Sequence, residues 1–322
     1  LLCVRCTAPL LEKTRKKISL FTNVSAVDVF SCHDVKSIFM IPQMLYEQGL
    51  VEIIFKKFEK VGYVNASENW NSWNIIVNSL QITENPIKIA MVGKYVTLAD
   101  SYVSVNEALK HASASINSSV TIDWIDSETL NGDIKKLSDY KGILVPGGFG
   151  TRGSEGIIET TSFALEQNIP FLGICFGFQL AAVSFARSVC KLEEANSTEI
   201  SVDTKHPIIG LLPEQDGVSN MGGSLRLGAN EINVNKNSVA HKIYNSEIIY
   251  KRHRHRYEFN TKYREQFQKN GMNFTAESDN GKRMEVLEIP SHKFFFGVQF
   301  HPEFSSRPGF PEQTFKAFVS AA

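Results

Sequence analysis

The 322-residue sequence contains few cysteines, no long apolar segment and no excess of either charge. Its 5 cysteines are scattered and odd in number, which argues against a disulfide framework and is typical of a reduced intracellular protein. No apolar run approaches the roughly 20 residues of a membrane-spanning helix. Because 34 basic residues balance 34 acidic ones, the charge gives no reason to expect nucleic acid or an anionic membrane as a partner. We therefore expect a cytoplasmic protein.

Several signals are also missing. The opening LLCVRCTAPLLEKTRKK places apolar residues before basic ones, the reverse of a secretory signal. No phosphate-binding G-x-x-x-x-G-K-[ST] loop and no internal repeat occur. Cys3 and Cys6 form a C-x-x-C without a second pair or a nearby histidine, so we predict no metal site in this chain. Since the chain begins with Leu1 and opens within an apparent strand, we expect a fragment of a longer protein.

The segment PFLGICFGFQ, from Pro170 to Gln179, predicts a buried strand, a tight turn at Cys175 and a helix from Phe178 to about Val189. Glycines on either side of Cys175 suit a crowded strand-to-helix turn that presents a nucleophile. The first amides of the helix and its dipole favour a thiolate and can stabilise an oxyanion. The alternative is a buried cysteine on a core strand.

A second segment, FFFGVQFHPEF, ends an apolar strand in His301-Pro302-Glu303. A histidine in a rigid turn after a strand suits a general base, and a carboxylate two residues later can fix its tautomer. The alternative is that His301 is an ordinary histidine in an exposed turn. With the upstream cysteine, these residues make a Cys175-His301-Glu303 triad hypothesis.

A third segment, YKGILVPGGFG, predicts a strand that runs into a glycine-rich turn. Gly147 and Gly148 allow backbone amides to approach a reacting carbonyl closely. Most Gly-Gly pairs simply lie in loops, but this pair lies one β-α unit before the predicted strand-to-helix turn at Cys175, which we call the elbow. We predict that the amides of Gly148 and Phe176 form the oxyanion hole.

Strands and helices alternate from residue 87 onward, which predicts an α/β fold with a parallel, doubly wound sheet. We expect residues 1–60 to form one unit and 61–86 a linker whose tryptophans, Trp70 and Trp73, anchor a helix. Residues 87–322 form the second unit, and after Pro207 the strands become shorter. The predicted strands whose bounds matter below are Ala26–Ser31, Ile87–Val92, Val120–Ile125, Gly142–Val145, Phe171–Ile174, Ser224–Leu227, Ile248–Tyr250 and Phe294–Phe300.

The three motifs resemble those of class I glutamine amidotransferase domains. Further segments, in order along the chain, are similar to the glutaminase half of the CTP synthase family: VGKYVTLADSY, EEANSTE, MGGSLRLG and RHRHRYE. The resemblance implies an amidotransferase-like, doubly wound, mostly parallel sheet over 87–322. It makes residues 1–60 the C-terminal part of an α/β P-loop-type synthetase (amidoligase) domain.

By that resemblance, a set of residues around the elbow and in the later motifs would hold glutamine: Gly148, Phe176, Gly177, Phe178, Gln179, Glu199 and Arg256. A carboxylate can pair with the substrate ammonium, and a guanidinium can fork onto its carboxylate. Taken alone, RHRHRYE fits a solvated basic strand or a phosphate-binding patch. The family more often has GICLGMQ, so Phe176 and Phe178 put the pocket's packing and size in question.

The resemblance also implies nucleotide contacts. Lys17 matches a position that contacts UTP or the inhibitor CTP, and His33-Asp34-Val35 matches an ATP-contacting segment. Arg226, in the MGGSLRLG segment, matches a contact of the activator GTP. The alternatives are a solvated lysine on a basic helix and a glycine-bearing hairpin turn.

The implied function is glutamine hydrolysis that supplies ammonia for ATP-dependent amination of UTP to CTP. The glutaminase domain would need no cofactor, whereas the full-length reaction would need ATP and Mg²⁺. Family members form homo-tetramers and filaments. Two alternatives remain: a glutaminase that serves another acceptor, as in the GMP or carbamoyl phosphate pathways, and a non-catalytic assembly or regulatory copy.

Overall fold

The computed structural model describes residues 1–59, 67–81, 84, 86–96, 98, 100–130, 133–211 and 225–322, with only the backbone of 67–69. Contacts divide the chain into an N-terminal unit, Leu1–Gln81, and a C-terminal unit, Ile82–Ala322.

The N-terminal unit contains two parallel strands and four helices within the described residues. Their bounds are β1 Leu2–Cys6, α1 Glu12–Thr22, β2 Val29–His33, α2 Ile41–Glu47, α3 Leu50–Lys57 and α4 Ser67–Ser79. The strand predicted at Ala26–Ser31 was wrong at its start, because Ala26–Asp28 forms a 3₁₀ turn before β2. The predicted tryptophan anchors are confirmed: Trp73 Nε1 donates to Phe39 O at 3.1 Å, and the Trp70 ring lies 4.8 Å from that of Tyr46.

The C-terminal unit alternates strands and helices in its first half and is richer in strands in its second. The strands are β3 Ile87–Gly93, β4 Val120–Asp126, β5 Gly142–Val145, β6 Phe171–Ile174, β7 Ala195–Ser197, β8 His206–Leu211, β9 Arg226–Val234, β10 Ile248–His255, β11 Tyr257–Phe259, β12 Asn273–Ser278, β13 Arg283–Glu288 and β14 Phe295–Val298. The helices are α5 Val103–Ser115, α6 Ser154–Glu166, α7 Phe176–Ser188, α8 Val239–Tyr244, α9 Arg264–Lys269 and α10 Gln313–Ala321.

In the described part of the chain, nine of these strands form one sheet in the order β10-β9-β12-β13-β14-β6-β5-β3-β4. The strands from β14 to β4 are mutually parallel, and those from β13 to β10 add antiparallel pairs. The predicted doubly wound parallel sheet is thereby confirmed, with an antiparallel extension. A smaller sheet pairs β11, β8 and β7.

Helices cover both faces of the large sheet, so its central strands are buried on both sides. Phe171 of β6 faces the layer that contains α6 and α7, and the next residue, Leu172, faces the layer with α5 and α10. The Phe171 and Phe295 rings stack at 4.7 Å across β6 and β14. The carboxyl ends of the parallel strands therefore form a rigid edge on which a site can be built.

Within the described residues, no single helix is long and apolar enough to cross a membrane. In the part of the chain that the structure describes, one bent pair of helices, Ile38–Glu47 and Leu50–Lys57 at 63°, is long and apolar enough when its members are taken together.

Candidate active site

Cys175 lies at the sharp turn between β6 and α7, with φ 52° and ψ −97°. This left-handed conformation is costly for a residue with a side chain, and such strain is concentrated at functional sites. The turn is tight enough to require glycine on both sides. A Cβ on Gly173 would lie 2.7 Å from the Gly177 backbone, and one on Gly177 would lie 2.3 Å from Val145 O. The predicted elbow is confirmed.

His301 follows β14 and is held by both its backbone and its ring. Its amide donates to Arg252 O at 2.8 Å, and its Nδ1 lies 2.7 Å from Glu303 Oε1. Since a carboxylate accepts, Nδ1 carries the hydrogen and Nε2 is left to exchange a proton with the nucleophile. Nε2 is buried and makes no hydrogen bond to the residues that the structure describes.

The charge of the His301 ring is set by its neighbours. Burial alone would lower its pKa, but the Cys175 thiolate and the Glu303 carboxylate outweigh burial and raise the pKa of His301 well above its ordinary value. An imidazolium beside a thiolate is the reactive form of a cysteine nucleophile.

A cavity of about 260 Å³ opens over these groups. It is lined by Gly147, Gly148, Cys175, His301 and Glu303, so the structure brings the predicted triad and the glycine turn together. A Cβ on Gly147 would lie 2.9 Å from His301 Cε1, which explains the first glycine of the pair. The cavity is also lined by Asp100 and Tyr102, just before α5, and by Arg254 of β10.

The predicted glutamine contacts divide into buried and accessible groups. The side chains of Phe176 and Phe178 are 1% and 0% exposed, so these residues can offer a ligand only their backbone. Gln179 is also buried, and its Nε2 donates to Tyr257 O at 2.8 Å.

Glu199 lies beside the glycine turn. Its Oε1 accepts the Gly150 amide at 2.7 Å. Burial raises the pKa of Glu199, opposed by the Gly150 hydrogen bond and by the charges of Lys94 and Arg256. The structure thus places Glu199 and Arg256 in one electrostatic group next to the predicted oxyanion loop.

The comparisons with known proteins agree with this geometry. A model of class-I glutamine amidotransferases matches residues 97–321, most of the chain. The chain belongs to the class-I glutamine amidotransferase family.

Within that family the similar proteins are CTP synthases. The chain is 46% identical to CTP synthase of Archaeoglobus fulgidus over 318 residues, and 44% identical to that of Staphylococcus epidermidis over 326. These alignments cover 99% and 100% of the chain but only 59% and 60% of the relatives. A model of the CTP synthase N-terminus matches residues 1–60.

A solved structure extends the likeness to three dimensions. The glutaminase domain of Trypanosoma brucei CTPS, with bound acivicin, superimposes with a TM-score of 0.68 at 37% identity. The match covers 73% of this chain and 93% of that domain. The amidotransferase fold of the C-terminal unit is therefore established.

Lys94 lies in the VGKYVTLADSY segment of this amidotransferase, and the sequence alone predicts no role for it. Lys94 is 4% exposed; its Nζ donates to Phe149 O at 3.1 Å and to Gly150 O, and lies 4.1 Å from the centre of the Phe176 ring. Desolvation lowers the pKa of Lys94 to about 8, although Glu199 opposes this. The one available signal was a lysine directly after the apolar strand β3.

Arg226 and the alternating RHRHRYE segment lie on the antiparallel side of the amidotransferase sheet. Arg226 Nη1 pairs with Glu285 Oε1 at 2.7 Å, and Nη2 donates to Ser278 Oγ at 3.0 Å. His253 Nε2 lies 2.8 Å from the other Glu285 oxygen. Arg226 therefore neutralises a buried carboxylate, and its contact with GTP stays a prediction. Residues 221–224 of the MGGSLRLG segment lie outside the described residues.

The predicted UTP, CTP and ATP contacts lie in the N-terminal unit. Lys17 is exposed on α1. His33 ends β2, with its Nδ1 3.1 Å from Ser31 Oγ, and Asp34 pairs with Arg5; Val35 follows. Among the described residues, no group of three His, Cys, Asp or Glu side chains could hold a metal ion.

Proposed function

We propose that the C-terminal unit hydrolyses the side-chain amide of glutamine. The proposal depends chiefly on one observation: a strained elbow cysteine, a charged histidine and its carboxylate partner face the same cavity beside a glycine turn. Membership of the amidotransferase family supports glutamine as the substrate.

In the first half of the reaction, Cys175 Sγ attacks the amide carbon and the carbonyl oxygen becomes an oxyanion. The amides of Gly148 and Phe176 stabilise that charge. His301 gives its proton to the departing nitrogen, so ammonia leaves and a γ-glutamyl thioester remains. Glu303 holds the ring in place throughout and stabilises its charged form.

In the second half, water enters the vacated position and His301 accepts its proton. The hydroxide adds to the thioester carbon, the C–S bond breaks, and glutamate is released. Glu199 and Arg256 hold the substrate ammonium and carboxylate by opposite charge.

The ammonia acceptor follows from the relatives, and we extend the proposal to it. The full-length protein aminates UTP to CTP with ATP and Mg²⁺, since residues 1–60 match the CTP synthase N-terminus and both relatives are CTP synthases. UTP or the inhibitor CTP contacts Lys17, ATP contacts His33, Asp34 and Val35, and GTP activates through Arg226. The active form is a homo-tetramer, which can extend into filaments.

The test is glutamate release from glutamine by this chain, with and without GTP. Cys175→Ala removes the nucleophile and should lower turnover by about 10⁴-fold or more. Cys190→Ala is the matched control, because Cys190 is a half-buried cysteine that does not line the cavity. Equal turnover in the Cys175→Ala variant and the unmodified chain would contradict the proposal. CTP formation from UTP, ATP and glutamine by the full-length protein tests the acceptor.

A further inference from the structure

Behind the nucleophile lies a buried pair of glutamine side chains. Gln179, on α7, and Gln299, directly after β14, are 3% and 1% exposed. A buried amide with free donors would cost free energy, so the arrangement of its hydrogen bonds is informative.

The hydrogen bonds fix which end of each amide faces which neighbour. The Tyr257 carbonyl can only accept, so the Gln179 group 2.8 Å from it is the NH₂. That nitrogen also donates to Gln299 at 3.2 Å, which must therefore present Oε1. The NH₂ of Gln299 is then turned toward Cys175 Sγ, 3.8 Å away.

Besides Gln299 and the catalytic base His301, the Arg254 carbonyl lies near the sulfur. In the thiol form Sγ donates to Arg254 O at 3.7 Å, a group that can only accept. Once the thiolate forms, that carbonyl offers nothing favourable, whereas an N–H donor stabilises the negative charge. Gln299 supplies such a donor from the protein interior, since it is 1% exposed and does not line the substrate cavity.

We propose that Gln299 is a further catalytic residue, whose side-chain amide donates to the Cys175 thiolate and favours the reactive form of the nucleophile. Gln179 is its positioning residue, because it fixes the direction of the Gln299 amide. This inference rests on the proposed glutaminase function, in which Cys175 attacks as a thiolate.

The experiment measures Cys175 reactivity directly and turnover separately. Iodoacetamide alkylation of the whole chain is followed between pH 5 and pH 10, with mass spectrometry of the Cys175 peptide to exclude the other cysteines. Gln299→Met keeps size and removes the donor; Gln299→Glu keeps shape and adds a repelling charge. Gln268→Met, on the exposed side of α9, is the matched control.

We expect the alkylation midpoint to rise by roughly one pH unit in Gln299→Met, the size of a hydrogen bond to a charged group, and further in Gln299→Glu. Glutaminase kcat should fall roughly tenfold to hundredfold with a smaller change in KM, and the control should match the parent. If Gln299→Met does not fold, Gln179→Met should give a smaller rise of the same sign.

Unchanged midpoints in both Gln299 variants would overturn the inference, even if turnover fell, because a packing defect would then explain the loss. A raised midpoint in the Gln299 variants, together with a parent chain that releases no glutamate, would support the Gln299 contact and overturn the proposed glutaminase instead. The two failures are therefore distinguishable.

Discussion

At the residue scale, the elbow around Cys175 has no room for a side chain at its two glycines. Gly177 lies in the first turn of α7, where the helix approaches β5, and Gly173 lies where β6 meets the helix. The sequence indicated small residues here because a nucleophile turn needs them. It could not give the reason found in the structure, which is contact with the backbone of a neighbouring strand and of the helix itself.

Gly177→Ala should destabilise the protein by about 2 kcal/mol or more, because the new methyl lies 2.3 Å from Val145 O, a backbone atom that cannot move aside cheaply. Gly210→Ala is the control, since a Cβ there has nothing within 4 Å. Urea unfolding of both variants measures the difference. Equal midpoints for the two would show that the close approach relaxes without cost.

Lys94 shows where residue-level prediction from sequence stops. A lysine after an apolar strand is usually solvated, and only the structure shows its ammonium bonded to two carbonyls of the glycine turn. Gly150 is consequently held at both ends, by Lys94 at its carbonyl and by Glu199 at its amide.

At the element scale, β10 shows how one strand serves both the core and the site. Its residues alternate between exposed and buried, so Lys251, His253 and His255 face inward while Arg252 and Arg254 face outward. The inward histidine His253 reaches Glu285 of β13, and the outward residues contribute carbonyls to His301 N and Cys175 Sγ.

Glu285→Gln should destabilise the protein by about 3 kcal/mol at pH 7, since it leaves the Arg226 guanidinium, whose side chain is only 11% exposed, without its counter-charge. Glu231→Gln is the control, because Glu231 accepts from Tyr250 on the exposed face of the same strand pair. Thermal unfolding of both variants measures the loss. A Glu285→Gln loss no larger than the control's would mean that the buried pair is energetically neutral.

The same substitution has a pH signature. Burial alone would raise the pKa of Glu285, but His253, Arg226 and Ser278 lower it from 4.5 to about 2. A lowered carboxyl pKa gives stability that is present above pH 4.5 and lost as the pH falls toward 2. Glu285→Gln should flatten the fall in stability over that range.

The antiparallel strands are where sequence prediction was weakest. Ile248–Tyr250 was predicted as a strand but β10 continues to His255, because alternating arginine and histidine read as solvated when the partner Glu285 is unknown. Similarly, β9 extends well past the predicted Ser224–Leu227, and β12 was missed entirely. The parallel strands of the large sheet were predicted to within two residues, and its central strands β5 and β6 to the residue, because burial on both faces leaves continuous apolar runs.

At the scale of the whole molecule, the two units differ in their cores. Both large hydrophobic clusters consist of residues after Ile87, whereas the buried apolar side chains before residue 82 are, within the described residues, Val29, Phe30 and Val77. Hydrophobic burial is the main stabilising term of a domain. We therefore expect the C-terminal unit to fold independently and the N-terminal unit not to do so.

We expect residues 82–322 to unfold cooperatively with an enthalpy of roughly 170 kcal/mol near ~60 °C, and residues 1–81 to give no transition. Differential scanning calorimetry of the two fragments provides the check. A cooperative transition from residues 1–81, or none from 82–322, would contradict this division.

The strand order has a consequence for synthesis on the ribosome. β14 lies in the middle of the large sheet, between β13 and β6, yet it is the last of its strands to be translated. Until Phe295–Val298 emerges, the nascent chain carries two separate half-sheets, each with an open apolar edge. That interval is when the polypeptide is most exposed to aggregation and most in need of a chaperone. The same event delivers His301, so the nucleophile stays without its base until the sheet closes.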